Sequence, residues 1–374
     1  MTRERDTKFL GRETGANFEK GIKRMNRRNF LRATGATTLT LPLAPRLSSA
    51  AQTNTGKLIK PKALRAGDVV GVIAPGTAVP DPDRLALVEP TLKFFGLRAR
   101  LGKYVATGSG HVTRTVSERL DDLHAMFRDP GVSAVFCIRG GYGSMQLLDR
   151  IDYDLIRRNP KVFLGYSDIT ALHLAINRHA GLVTFHGPIV LSSFTDYTQQ
   201  NFRRALFDAR PAGKLTNPAE SNALRPEHPL RTIHSGTATG QLVGGNLSLV
   251  TALMGTPYEI ETRGRILFLE DVGEEPYRID RMLTQLRLAG KLDQAAGIVF
   301  GECSECAPAD YKPSFAWDAT LGEVLDNILG SARVPVFTGL TIGHTADQLT
   351  LPLGVNATLN ADEKTLELKE AGVV

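Results

Sequence analysis

From residue 68 onward the chain alternates short apolar runs with amphipathic stretches, and that alternation restricts what it can fold into. Asp68 to Ala74 reads as a buried strand, followed by a helix over 83–95 that stops at Gly96. Next come a strand near Leu97 to Leu101, a helix over 116–127, the strand Val132 to Ile138, a helix over 144–149, the strand Val162 to Leu164 and a helix over 171–177. Strands that alternate with helices call for a parallel sheet covered on both faces, so an α/β fold is predicted. In such sheets function gathers at the carboxyl ends of the strands. Between 209 and 234 the periodicity lapses and Pro211, Pro218, Pro226 and Pro229 accumulate, which marks a linker. The expected organisation is therefore an N-terminal α/β domain over 58–208, a linker over 209–234 and a C-terminal domain over 235–374. The last is richer in strand, with runs at 266–269, 297–300, 348–351 and 365–368 and helices near 277–288 and 316–328.

Residues 1–51 read as a targeting segment and are excluded from the fold. Arg27 and Arg28 are followed by Phe30-Leu31, then by a weakly apolar run from Ala33 to Leu43, then by the small residues Ser48 to Ala51. The paired arginines point to twin-arginine export and hence to a periplasmic protein. The apolar run is about a dozen residues, well short of the roughly twenty that a membrane span needs, so no stable membrane insertion is expected. The whole chain holds 45 Lys+Arg and 39 Asp+Glu, of which residues 1–51 hold 11 and 4, leaving 34 against 35. The exported part is near neutral, and the inference from a basic chain to nucleic acid falls away. The three cysteines are Cys137, inside an apolar run, and the close pair Cys303 and Cys306. No further ligands follow at zinc spacing, so no metal site is expected.

Two loops carry the chemistry. The strand ending at Leu164 runs into Gly165-Tyr166-Ser167-Asp168 and then directly into a helix. A serine on such a turn stands clear of the backbone as a nucleophile, with the N–H of Asp168 aimed at the same place. Taken alone, the same residues favour a helix cap. The strand ending at Ile138 runs into Arg139-Gly140-Gly141-Tyr142-Gly143, whose glycines let backbone N–H groups approach a developing oxyanion. A serine needs a base, and histidine is the usual one. His186, at a strand end, and His344, on a glycine-flexed loop, both qualify, and chemistry alone does not choose between them. His111, His228 and His234 sit in loops without chemical company, His124 and His179 on polar helix faces, and His173 on the helix after Ser167. Glu270 ends an apolar run, with Asp271 and Glu274 as alternatives from the same loop.

These motifs, together with Gly244-Gly245-Asn246-Leu247, Leu269-Glu270-Asp271 and Gly343-His344, resemble in order and spacing the LD-carboxypeptidase family of serine peptidases. The resemblance covers nearly all of 58–370. It implies an amidotransferase-like (flavodoxin-like) first domain and a swivelling, β-rich second domain, in a homodimer without cofactor. It also implies Ser167 as nucleophile, His344 as base and Glu270 as the residue orienting it, with Asp168 and Gly141 supplying the oxyanion hole. Substrate would be a muropeptide tetrapeptide that loses its terminal D-alanine; Arg139, Asn246 and Arg278 are the candidates for holding it. A second branch of the family cleaves peptide-nucleotide antibiotics, a use that calls for an aromatic near the site, and Trp317 is the one tryptophan.

Overall fold

Five short strands form a parallel sheet in the computed structural model, which describes residues 58–105, 114–222, 224–308 and 319–374. They are β1 (Val69–Ile73), β2 (Arg98–Leu101), β3 (Ala134–Cys137), β4 (Val162–Gly165) and β5 (Thr184–His186). Their spatial order is β2-β1-β3-β4-β5, all parallel. Every residue of β3 and β4 is buried, as a sheet covered by helices on both faces requires. The order reverses at β1, so the loops after β1 and β3 lie at the switch point on the carboxyl edge, where sheets of this kind bind their ligands.

A second sheet of eight strands follows. Its members are β6 (Gly213–Leu215), β7 (Arg231–His234), β8 (Thr237–Asn246), β9 (Ile266–Val272), β10 (Gly297–Ser304), β11 (Val336–Leu340), β13 (Asn356–Asn360) and β14 (Thr365–Leu368). The order is β6-β14-β13-β8-β9-β10-β11-β7, with β8 to β11 parallel and the flanks antiparallel. The remaining strand, β12 (Leu351–Leu353), leaves this half and adds antiparallel to β5 at the edge of the first sheet.

Two expectations change here. The stretch 209–234 is not a free linker, because it contains β6 and β7, which close opposite edges of the second sheet. Three or four residues of mixed polarity carry no readable alternation; such edge strands are specified by the open hydrogen-bonding row of a neighbour. Nor does each half have a core of its own. Phe163 and Leu172 from the first half share one apolar cluster with Leu267 and Phe300, while Phe136 and Phe185 share another with Phe268 and Phe337. The described residues accordingly form one compact unit.

Local rules are visible at the helix ends. Thr115 and Thr320 each close a capping box, with Glu118 and Glu323 respectively. The helix expected over 83–95 is two, Pro82–Ala86 and Val88–Phe94. Pro90 lacks the N–H that a continuous helix would require there, and it is tolerated in the first turn of the second piece. Cys303 and Cys306 are joined in a disulfide, and Cys137 is free and buried. Among the described residues no helix is long and apolar enough to cross a membrane, and no group of three or more His, Cys, Asp or Glu side chains is arranged to hold a metal. The targeting segment and Trp317 lie outside the described residues.

Candidate active site

Ser167 begins a short 3-10 turn directly after β4, and its φ of 65° lies in the left-handed region. A non-glycine residue held there costs of order 1 kcal/mol or more, a strain that surrounding structure must impose. Its hydroxyl has no hydrogen-bond partner among the described residues, and neither the 3-10 turn nor the helix Thr170–Ala175 is capped by a side chain. The capping explanation for this serine therefore does not hold.

The glycine-rich loop after β3 lies against that turn. A side chain on Gly140 would come within 3.1 Å of the Ser167 Cβ and 3.3 Å of the Asp168 nitrogen. Gly141 takes a φ of 88°, backed by Thr77, whose hydroxyl accepts from the Tyr142 N–H at 3.0 Å. Thr77 N–H donates to the Gly140 carbonyl at 3.0 Å, tying the loop after β1 to the loop after β3. Arg119, buried on the helix Val116–Arg128, fastens both from behind by donating to the carbonyls of Pro75 and Gly143 at 2.8 Å each. The Asp168 side chain faces away from the crevice and accepts from the Ser144 N–H at 2.9 Å. Burial pushes its carboxyl above the usual range, against the opposing pull of those hydrogen bonds.

The second sheet supplies an acid–imidazole pair. Glu270 near the end of β9 is fully buried, and its Oε2 meets His344 Nδ1 at 2.8 Å. Burial raises the carboxyl, while His344 pulls it down. The other oxygen, Oε1, makes no hydrogen bond, although the Asn246 amide is near enough to favour the ionised form. With Nδ1 directed at a carboxylate, the proton belongs on Nδ1 and Nε2 is left as the acceptor. Gly343 makes this contact possible. At a φ of 86° it lies so close that a Cβ would sit 2.0 Å from Glu270 Oε2.

The pair meets the serine turn through Tyr166, whose ring packs edge-on against His344 with centroids 4.9 Å apart. Tyr166 was a member of the Gly-Tyr-Ser-Asp motif but carried no sequence signal for this contact. His344 and not His186 is thus the imidazole with a carboxylate partner. His186 is fully buried with neither nitrogen hydrogen-bonded, and its pKa is driven well below the ordinary value by burial. His173 is also fully buried; its Nε2 donates to the Gly165 carbonyl at 2.8 Å, and burial lowers its pKa to about 4.

A consequence for stability follows from His173. The unfolded chain takes up a proton near pH 6.5 that the folded chain refuses until about pH 4, so stability is lost as pH falls through that window. Urea unfolding at pH 7 and pH 5 is expected to differ by of order 2 kcal/mol from this residue alone. The difference between the two pH values should shrink in His173→Gln; an unchanged difference would exclude the assignment.

The other candidates fall out by their partners. Asp271 is saturated, accepting from Asn246 Nδ2 at 2.9 Å, from the Ser248 N–H and Oγ at 2.9 and 2.8 Å, and from the Val272 N–H at 2.9 Å. This corrects the expectation for Asn246, a buried helix cap whose amide is spent on Asp271. Glu274 lies 3.6 Å from Arg278, and Arg278, largely exposed, also donates to the Tyr277 hydroxyl. Arg139 is half-buried in the glycine loop and makes no hydrogen bond or ion pair with the described residues. One expectation about histidines was wrong: His228 is not without company, since it sits between Glu302 and Asp347.

Comparisons with known proteins agree with this architecture. Residues 70–187 match the model of the LD-carboxypeptidase N-terminal domain, and residues 239–359 that of the LD-carboxypeptidase C-terminal domain. The chain is 44% identical over 319 residues to a probable murein peptide carboxypeptidase of Bacillus subtilis, covering 84% of this chain and 95% of the relative. A muramoyltetrapeptide carboxypeptidase from Oxalobacter formigenes superposes with a TM-score of 0.68 at 31% identity, covering 80% of this chain and 97% of that one. The Microcin C7 self immunity protein MccF superposes with a TM-score of 0.75 at 28% identity, covering 84% and 100%. With both of its halves matched in order and the α/β architecture shared, the chain belongs to the LD-carboxypeptidase family.

Proposed function

We propose that this protein is a serine LD-carboxypeptidase that removes the terminal D-alanine from L,D-linked muropeptide tetrapeptides. The observation that carries the reading is the Glu270–His344 hydrogen bond packed through Tyr166 against a strained, unpartnered Ser167. Ser167 Oγ attacks the carbonyl of the L-configured centre of the diamino acid and gives its proton to His344 Nε2. The tetrahedral oxyanion faces the backbone N–H groups of Asp168 and Gly141. His344 returns the proton to the nitrogen of D-alanine as the C–N bond breaks, leaving an acyl-serine. Water then attacks that ester, His344 again taking and returning the proton, and the shortened peptide leaves. Glu270 holds the Nδ1–H and stabilises the imidazolium in both steps. Arg139 is the basic group assigned to the substrate's terminal carboxylate, because its charge has no partner among the described residues.

The test is mass spectrometry of products from a muropeptide tetrapeptide, the corresponding tripeptide and an aminoacyl sulfamoyl adenosine. D-Alanine from the tetrapeptide alone, undiminished by a chelator, is the expected result. Cleavage confined to the nucleotide conjugate would instead favour the activity of the MccF branch, one of whose structures holds aspartyl sulfamoyl adenosine. No release from any of the three would leave a non-catalytic wall-peptide binder. The same proposal takes residues 1–51 as a twin-arginine signal delivering a homodimer to the periplasm. Lysines at Arg27 and Arg28 should then hold the precursor in the cytoplasm, and light scattering should give twice the chain mass.

A further inference from the structure

We propose that residues 217–222 and 224–228 form a strap fixing the loop that carries His344, and that His228, pinned between Glu302 and Asp347, is a positioning residue for that histidine. The inference rests on the reading of His344 as the base. It concerns residues that take no part in the chemistry.

The strap is fastened at both ends. Asn217 Nδ2 donates to the Gly339 carbonyl at 2.7 Å, and its Oδ1 accepts from the Thr341 N–H at 2.9 Å, three residues before His344. The same Nδ2 reaches the His228 carbonyl at 3.0 Å, and Glu220 accepts from the N–H groups of Glu227 and His228 at 2.8 Å each, so the segment is closed on itself. At the far end His228 Nδ1 meets Glu302 Oε1 at 2.7 Å, and Nε2 lies 3.4 Å from Asp347 Oδ2. Asp347 is three residues after His344. Glu302 stands two residues before Ser304, whose hydroxyl donates to the His344 carbonyl at 2.7 Å. His228 thus joins the two segments that bracket His344, one on β10 and one on the loop itself.

The helix Asp196–Leu206 and the Thr195 that caps it complete the enclosure. Thr195 Oγ1 donates to the second oxygen of Asp347, and Thr198 Oγ1 donates to the Ala346 carbonyl at 3.0 Å. Tyr197 hydroxyl bridges the Thr216 carbonyl and the Thr341 hydroxyl. The charged or titratable groups facing His228 are therefore Glu302 from β10, Asp347 from the His344 loop and Glu220 from the strap, with Tyr197 and Arg204 behind them on the helix. Acidic groups dominate that set.

The geometry requires a particular protonation state. A neutral imidazole has one N–H, whereas two carboxylates flank the ring, so only the imidazolium serves both. Burial opposes the charge, but Glu302 and Asp347 outweigh it and hold the His228 pKa above its ordinary value. The pin is consequently intact below pH 6.5 and is lost as pH rises through that raised pKa. Beyond it, Glu302 and Asp347 compete for one donor and the His344 loop loses a fastening. Displacements of about 1 Å in a reacting group are enough to lower turnover by up to roughly a hundredfold.

The test compares the wild type with His228→Gln and Asp347→Asn, using release of D-alanine from tetrapeptide between pH 6 and 9.5, with Ser167→Ala as reference. His228→Gln is expected to lower kcat about tenfold near neutral pH with KM within about twofold, as for a displaced base with an intact binding surface. Its profile should also lose the alkaline fall of the wild type, and adding Asp347→Asn should cost little more, because both changes break one fastening. Nitrogen NMR of histidine-labelled Ser167→Ala protein, which needs no turnover, should show the His228 ring losing its second proton above the ordinary 6.5 of a histidine. A His228→Gln enzyme with wild-type kcat and an unchanged alkaline limb would overturn the proposal. So would a His228 ring that titrates at or below 6.5, even if His228→Gln failed to fold. Turnover retained in Ser167→Ala would instead overturn the assignment of the triad, an outcome separable from the state of the His228 ring.

Discussion

Ser167→Ala is expected to lower kcat for D-alanine release by about 10⁴-fold or more, with the fold and tetrapeptide binding retained. On the proposed mechanism the oxygen removed is the atom that forms the acyl bond, and the residues that follow it in the turn, Asp168 and Ile169, carry no hydroxyl. Ser144 is the nearest alternative by chain and space, and its hydroxyl is committed to the Asp168 carbonyl. A companion substitution separates the chemical role from the structural one. Ser167→Gly should be equally inactive but more stable, by of order 1 kcal/mol, because glycine occupies a φ of 65° without the Cβ penalty. Urea unfolding of the three proteins measures this. Stability ordered as Gly above Ser and Ala would mark the serine as held in strain for its chemistry, and D-alanine release by Ser167→Ala at a tenth of the wild-type rate would remove the nucleophile assignment.

What was legible in the sequence depended on how local its cause was. The strands at 69–73, 134–137 and 162–165 announce themselves because burial on both faces leaves only apolar residues. Their carboxyl ends then locate the glycine loop and Ser167 without any tertiary information. β6 and β7 were illegible because an edge strand is defined by a neighbour far away in the chain: Leu215 pairs with Leu366, and Arg231 with Thr338. The same reason hid which histidine has a carboxylate partner. Choosing His344 over His186 requires knowing that β9 brings Glu270 within 2.8 Å of the one and that the other is sealed beneath Tyr166 and Phe268. Family resemblance carried that choice, and the Glu270–His344 contact is the observation on which the proposal now rests it. His228 was misjudged for a related reason. Its partners are 74 and 119 positions away, and nothing in a proline-rich stretch signals that it joins a strand to the loop of His344. Asn246 shows the converse error, since a motif residue beside functional ones need not face the substrate when its amide serves a buried carboxylate.

Glu270→Gln isolates the orienting role and is expected to lower kcat by about 10⁴-fold with little change in KM. The replacement is isosteric, so packing around the fully buried side chain is preserved. What changes is the proton on His344. If the amide NH₂ of glutamine faces Nδ1, that nitrogen becomes the acceptor, the proton moves to Nε2, and the ring can no longer take one from Ser167. If the amide oxygen faces Nδ1 instead, the tautomer survives but the negative charge that stabilises the imidazolium is gone. Gly343→Ala reaches the same contact without touching either charge. Its Cβ would fall 2.0 Å from Glu270 Oε2 at a φ of 86°, so the loop or the carboxylate must move. A loss of about a hundredfold is expected from misplacement alone. Because the two substitutions act on one contact, the double variant should be scarcely slower than Glu270→Gln. Additive losses would mean that Gly343 acts through some other part of the loop, and a Glu270→Gln enzyme within tenfold of wild type would mean that His344 is oriented by something else or is not the base.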